Sequence, residues 1–246
     1  MTQEELFSTL KAEFIKIVNE HNVQSEKVEI TGRALSPQEA IGVTERRDFP
    51  ILTGKELMLQ AEFMGSKGQA FTDAPSLYSG TLQDVINMDL EKDAHARGLF
   101  IATINAVLCH LGIAQNTVHC KNGEPEKCAE QALTWVQEQY GSEVRIALVG
   151  YQPALLEQLA SKYKLRVLDL NPDNIGQMRY GVKVEDGMDY KEVCGWADLV
   201  LCTGSTICNG TIVNFLNLEK ELVFFGTTIS AAAKILGLKR MCFCSL

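Results

Sequence analysis

The sequence predicts an α/β fold with a doubly wound parallel sheet over its C-terminal part, from about Ser142 to Leu246, and three observations predict it. Short apolar runs recur at Val144–Val149, Leu165–Leu170, Leu199–Cys202, Leu222–Phe225 and Met241–Phe243. Helical patterns lie between them, at Pro153–Tyr163, Asp189–Trp196, Thr206–Leu218 and Thr228–Leu236. The runs lack the apolar–polar alternation of a strand with one wet face. Strands this apolar are buried on both sides, which is the mark of a parallel sheet covered by helices. Right-handed crossovers then make the sheet doubly wound. Five strands are the minimum.

The N-terminal part has a different rhythm and reads as a smaller α+β domain. Glu4–Asn19 places Leu6, Leu10, Phe14, Ile17 and Val18 on one helical stripe. Two β-rich stretches, around Lys27–Leu35 and Ala40–Arg46, are separated by Ser36-Pro37. Gly54, Gly65, Gly68, Pro75 and Gly80 punctuate an irregular middle. A short helix is expected over Thr81–Met88. A longer one is expected over Asp93–Leu111, with Phe100, Ile104, Val107, Leu108 and Leu111 on one face and Gly112 as a stop. The boundary lies near Ala114–Pro125, giving domains of 1–115 and 116–246. The second opens with a helix over Glu124–Tyr140, Pro125 in its first turn and Gly141 at its end.

Composition narrows the function. The chain has 246 residues, 46% hydrophobic and 22% charged, with a formal net charge of -8. That is an ordinary globular balance. No cluster of Lys and Arg suits a phosphate backbone, so nucleic acid is not the expected partner. No apolar run is long enough to span a membrane. The start, MTQEELFSTLKAEFIKIV, is acidic and amphipathic, so a cytoplasmic location is the default expectation. Oligomeric state is open, although a homodimer is the common outcome for soluble chains.

In such sheets ligands bind beyond the carboxyl ends of the strands, where strand order reverses. The first loop there is Gly150-Tyr151-Gln152-Pro153, whose proline opens a helix with free amides. Asp169 ends the next strand, near where a dinucleotide fold places its ribose-binding carboxylate, but the first loop lacks GxGxxG. A solvated strand-end carboxylate is the competing reading. The loop after the third run is rich in hydroxyls and amides, with Thr203, Gly204, Ser205, Thr206, Asn209 and Thr211. A helix cap needs only one of them. Gly226-Thr227-Thr228 repeats the arrangement one strand along. Together these loops form a polar cradle for a carboxylate, a phosphate or a hydroxylated small molecule.

From the first domain, the segment from Gly65 to Asp73 is the candidate lid or wall, with Lys67 and Asp73 as opposite charges. Asn105 is either a ligand contact or a structural amide, since a buried amide must be hydrogen-bonded. Eight cysteines form no CxxC pair. Cys109, His110, His119, Cys120 and Cys128 bring soft ligands to the domain junction, and Cys202 and Cys208 flank the main loop, but no standard zinc spacing occurs. Unliganded thiols are the alternative for both sets and the reading taken for Cys194, Cys242 and Cys244. No nucleophile–base pair can be assigned from spacing.

The stretch from Asp198 to Thr211, with its Thr-Gly-Ser and Asn-Gly-Thr, resembles a motif of the family named for heavy-metal chelation. Arg97–Ala106 is similar to that family's helix ending in Ile-Asn-Ala. Tyr151, Pro153 and Ala154 fit its first loop, and Gly226-Thr227-Thr228 stands where Gly-Pro-Ser is usual. The resemblance implies an enolase-N-terminal-like domain followed by a Rossmann-like domain, a site at their interface, and a role in metal or metal-chelate metabolism; the cofactor stays open, with a divalent or heavy metal as the candidate the resemblance offers. Two alternatives stand beside that small-ligand reading. One is an enzyme using NAD or S-adenosylmethionine with Asp169 on the ribose; the other is a non-catalytic Cys/His metal-binding protein.

Overall fold

The computed structural model describes residues 1–54, 56–75 and 77–246, and for residues 28–34 the backbone alone. Helix α1 (Gln3–His21) starts where a capping box requires it. The Thr2 hydroxyl accepts from the Glu5 amide, and the Glu5 carboxylate accepts from the Thr2 amide. Its buried stripe is Leu6, Phe7, Leu10, Phe14 and Val18. Strand β1 (Lys27–Leu35) follows, then α2 (Pro37–Ile41).

The expected second strand at Ala40–Arg46 is absent: Ala40 and Ile41 end α2, and residues 42–46 are irregular. Ser36-Pro37-Gln38-Glu39 forms another capping box with proline in the first turn, and this local chemistry overrides the β-branched residues that come after it. The irregular middle is also ordered. It holds β2 (Leu57–Phe63), β3 (Ser66–Thr72) and β4 (Tyr78–Thr81), which with β1 make an antiparallel sheet of order β3-β2-β1-β4. Met64 and Gly65, both with positive φ, turn β2 into β3. The glycines read as loop punctuation are therefore hairpin and packing positions. Gly68 lies so close to the next long helix that an added Cβ would stand 2.1 Å from the Ala106 nitrogen.

Helix α3 (Leu82–Ile86) leads to α4 (Ala94–His110), which buries every residue from Ala96 to Leu108 rather than one face. It lies between β2 and β3 on one side and a helix of the second part on the other. A helix buried all round is a central one.

The second part begins with α5 (Glu124–Tyr140) and continues β5 (Ile146–Val149), α6 (Pro153–Ala160), β6 (Leu165–Asp169), β7 (Met178–Arg179), β8 (Val182–Asp186), α7 (Tyr190–Trp196), β9 (Leu199–Thr203), α8 (Val213–Leu216), β10 (Glu221–Phe225), α9 (Ser230–Leu236) and β11 (Arg240–Met241). The seven strands run in the order β11-β10-β9-β5-β6-β8-β7, parallel except for the edge strand β7. This is a doubly wound sheet. The hairpin β7–β8 lacks a strong apolar signature because β7 is an edge and Val184 alone of β8 is fully buried. The helix expected over Thr206–Leu218 is a 3-10 turn at Gly204–Ile207 and the one-turn α8.

One buried cluster runs through both parts, from Leu6, Phe14 and Phe100 to Ile207, Phe224 and Ala231. A second lies on the other face of the parallel sheet, where Val136 and Leu156 of α5 and α6 meet Ile146, Leu148 and Leu201.

Candidate functional site

Chain order in the parallel sheet reverses between β5 and β9, which pair with each other while β6 lies beyond β5 and β10 beyond β9. The strand ends there leave a crevice, because the connections depart to opposite faces. Three loops meet at this point. Gly150 has φ of +91°, and a Cβ on it would stand 2.6 Å from the Thr203 methyl. A Cβ on Gly204 would stand 2.7 Å from the Cβ of Ile229. Glycine is required at both positions for the loops to touch.

A cavity of about 130 Å³ lies over this point. Its floor is Gly150, Tyr151, Gln152 and Pro153 after β5, Thr203, Gly204 and Ser205 after β9, and Gly226, Thr227 and Thr228 after β10. The first lobe closes it with Phe49, Pro50, Ile51, Glu56 and Phe71. The remaining wall comes from His119 and Cys120, Cys128 of α5, and Cys242 and Ser245 of the C-terminal tail.

Hydrogen bonds lock the floor to the lobe above. The Thr228 hydroxyl accepts from the Phe71 amide at 3.0 Å. Asn105, fully buried, donates to the carbonyls of Gln69 and Thr228 at 2.9 and 3.0 Å and accepts from the Ala231 amide at 2.8 Å. Asn105 is therefore a structural amide joining α4, β3 and the loop after β10. The Thr227 hydroxyl is different: it is buried and has no hydrogen-bond partner. Such a group is costly unless something supplies the missing bond.

Asp169 does not line the cavity. Its carboxylate accepts from the amides of Tyr151 at 2.8 Å and Asn171 at 2.6 Å, so it shapes the first loop. Thr206 is buried and donates to the Thr203 carbonyl at 2.7 Å. Asn209 accepts from the amide and hydroxyl of Thr211, neither residue lines the cavity, and Gly210 between them packs on Gln3. The broken helix at this place explains why these residues do not face the floor. The segment from Gly65 to Asp73 is a strand rather than a loop lid, with Lys67 and Asp73 exposed outside the cleft; Phe71 is its contribution to the wall.

The soft ligands divide in the same way. Cys202 and Cys208 are core thiols, and burial pushes the latter up to about 12. Cys109 and His110 end α4 away from the cavity, with His110 edge-on to Phe63 at 5.5 Å. His119, Cys120 and Cys128 do line the cavity. The thiol of Cys128 lies between those of Cys120 and Cys242, and Cys244 approaches it too. The sequence reads Cys242 and Cys244 as unliganded thiols. Cys242 lines the cavity and Cys244 does not; the tail that carries them is held by backbone hydrogen bonds of 2.8 and 2.9 Å between Leu246 and Val118, a pairing no local pattern announces. Among the described residues, no three His, Cys, Asp or Glu side chains stand in the arrangement of a finished metal site.

His119 hydrogen-bonds the Cys120 carbonyl through Nδ1 at 2.7 Å, which leaves Nε2 as the acceptor nitrogen. Burial lowers its pKa. Glu56 has its pKa raised to about 7, by burial first and then by the charge of Asp169. Sequence alone gave Glu56 no distinction.

Over the first loop, residues 46–50 form a strap. Arg46 binds Glu126 and Glu157 of α5 and α6 as well as the Tyr180 hydroxyl, and Asp48 accepts from the hydroxyls of Tyr151 at 2.9 Å and Tyr180 at 2.6 Å.

Residues 134–239 match the DUF364 family, described as "Putative heavy-metal chelation". The match runs from within α5 to just before β11 and includes all three floor loops. The fold of the whole chain is similar to that of a DUF364 protein of unknown function from Pyrococcus horikoshii, with a TM-score of 0.58, 16% identity, and coverage of 91% of this chain and 79% of that one. A DUF364 protein of unknown function from Desulfitobacterium hafniense is similar at a TM-score of 0.50 and 14% identity, over 74% of this chain and 72% of that one. No curated protein matches. Among the described residues no helix is long and apolar enough to cross a membrane.

Proposed function

We propose that the protein binds a small polar ligand of metal or metal-chelate metabolism in the cleft over the point where strand order reverses. The observation that carries this reading is the mutual contact of three strand-end loops beneath one cleft, one of them carrying the unpartnered Thr227 hydroxyl. A ligand oxygen or nitrogen would complete that bond. The match to a family described in terms of metal chelation supplies the chemical class. The donors of the wall are soft sulfur and nitrogen, which suits such cargo. A nucleotide-cofactor enzyme is less well supported, because Asp169 already serves two loop amides.

The test is thermal stability of the chelator-treated protein with anionic metabolites and preformed metal chelates. A ligand at a hundredfold excess over Kd adds about 2.7 kcal/mol. For a chain of this size that raises Tm by about 5–10 °C. Thr227→Val keeps the shape and removes an unsatisfied hydroxyl, so the unliganded protein should be as stable or about 1 kcal/mol more so. The same variant should lose most of the ligand-induced shift. Equal shifts in both proteins would show that the ligand sits elsewhere.

A further inference from the structure

We propose that Cys120, Cys128 and Cys242 close on a soft or borderline d10 cation of the zinc, cadmium or copper(I) class, at the tail side of the cleft. This deepens the cleft reading, and it rests on that reading for its biological sense but not for its chemistry. The thiols converge from three distant parts of the chain. Cys120 follows the last helix of the first lobe, Cys128 lies on α5, and Cys242 lies just past the last strand. All three are free and line one cavity.

The thiols of Cys120 and Cys242 both interact with that of Cys128, and the three do not stand as a closed ligand set. Closing it takes side-chain rotation at Cys120 and Cys242, both outside helices and strands; Cys128 is fixed by α5. Sulfur is the preferred donor for this class of cation. His119 borders the trio, its Nδ1 on the Cys120 carbonyl at 2.7 Å and 3.9 Å from the Cys120 thiol. Three thiolates around a divalent ion leave one negative charge, and Arg240 lies beside Cys242 and Cys128 to offset it. Binding releases the thiol protons to solvent and transfers no electrons.

The test is titration of the full-length protein, reduced with a phosphine and handled without oxygen, with Cd2+. The expected result is a thiolate-to-cadmium charge-transfer band in the ultraviolet that saturates at one equivalent, with three thiols lost to a thiol reagent. Cys128→Ser and, separately, Cys242→Ser should weaken binding at least a hundredfold. Cys109→Ser, outside the cleft, should leave it unchanged. The Cys242 variant changes only the tail, so it reports even if the helix variant fails to fold. No band in the wild type, or a band retained at full affinity in Cys242→Ser, overturns the proposal. Chelator-treated protein that still shows the Thr227-dependent shift while binding no Cd2+ would overturn this inference and leave the cleft reading intact.

Discussion

The carboxyl of Glu56 keeps a little contact with solvent through the cleft but is surrounded by protein, close enough to Asp169 and His119 to feel both charges. Its pKa, raised from 4.5 to about 7, has a direct thermodynamic consequence. A folded state that holds its proton more tightly than the unfolded chain loses stability as pH rises between the two values. The contribution is therefore intact below about pH 4.5, falls away towards pH 7, and is level above. The size is about 3 kcal/mol, from about 1.4 kcal/mol per unit. His119 acts with the opposite sign, since its lowered pKa costs stability as pH falls below about 6.5. Comparison with Glu56→Gln isolates the first effect. The variant should match the wild type near pH 4.5 and exceed it by several degrees in Tm at pH 8. A constant difference across that range would mean that Glu56 is ordinarily solvated.

At the scale of elements, the packing of β3 on α4 sets the wall of the cleft. Gly68 makes it possible, because a Cβ there would lie 2.1 Å from the Ala106 nitrogen and 2.4 Å from the Ala102 carbonyl oxygen. Backbone atoms cannot rotate away, so Gly68→Ala must separate strand from helix. The expected cost is about 3 kcal/mol, at the upper end of ordinary overpacking, measured by denaturant midpoint at unchanged slope. The strap offers a contrast. Arg46→Ala removes a partly buried cation from two carboxylates and a phenol, and should cost about 2 kcal/mol while freeing residues 46–50 to faster amide exchange. Elements of this kind divide sharply by how they read in sequence. The parallel strands were legible because burial on both faces leaves them apolar throughout, and α5 because Pro125 and Gly141 mark its ends. The hairpin β2–β3 was not, because Gly68 and Gly65 look like loop residues until the helix above them is known. The position of the loops that line the cleft was legible for the first reason, since it follows from strand direction. Glu56, Cys242 and Ser245 were missed because they reach the cleft only by the pairing of distant segments.

For the molecule as a whole, the question is whether the first lobe and the parallel sheet unfold together. Their cores are one cluster, with α4 buried between the antiparallel sheet and α9. Asn105 sits at the centre of that contact and satisfies backbone groups from both sides, the Gln69 carbonyl of β3 and the Thr228 carbonyl and Ala231 amide of the second part. Asn105→Leu fits the apolar surroundings but leaves a buried amide and carbonyls unpaired, and each such group costs about 1–3 kcal/mol. A loss of about 4 kcal/mol should lower Tm by roughly 8–16 °C. Because the amide bridges the lobes, near-ultraviolet signals from Trp135 and Trp196 of the second part should fall in the same transition as amide-exchange protection in α4. Two separated transitions in the variant would show instead that the lobes are joined by Asn105 and little else, and that the cleft can open while the parallel sheet stays folded.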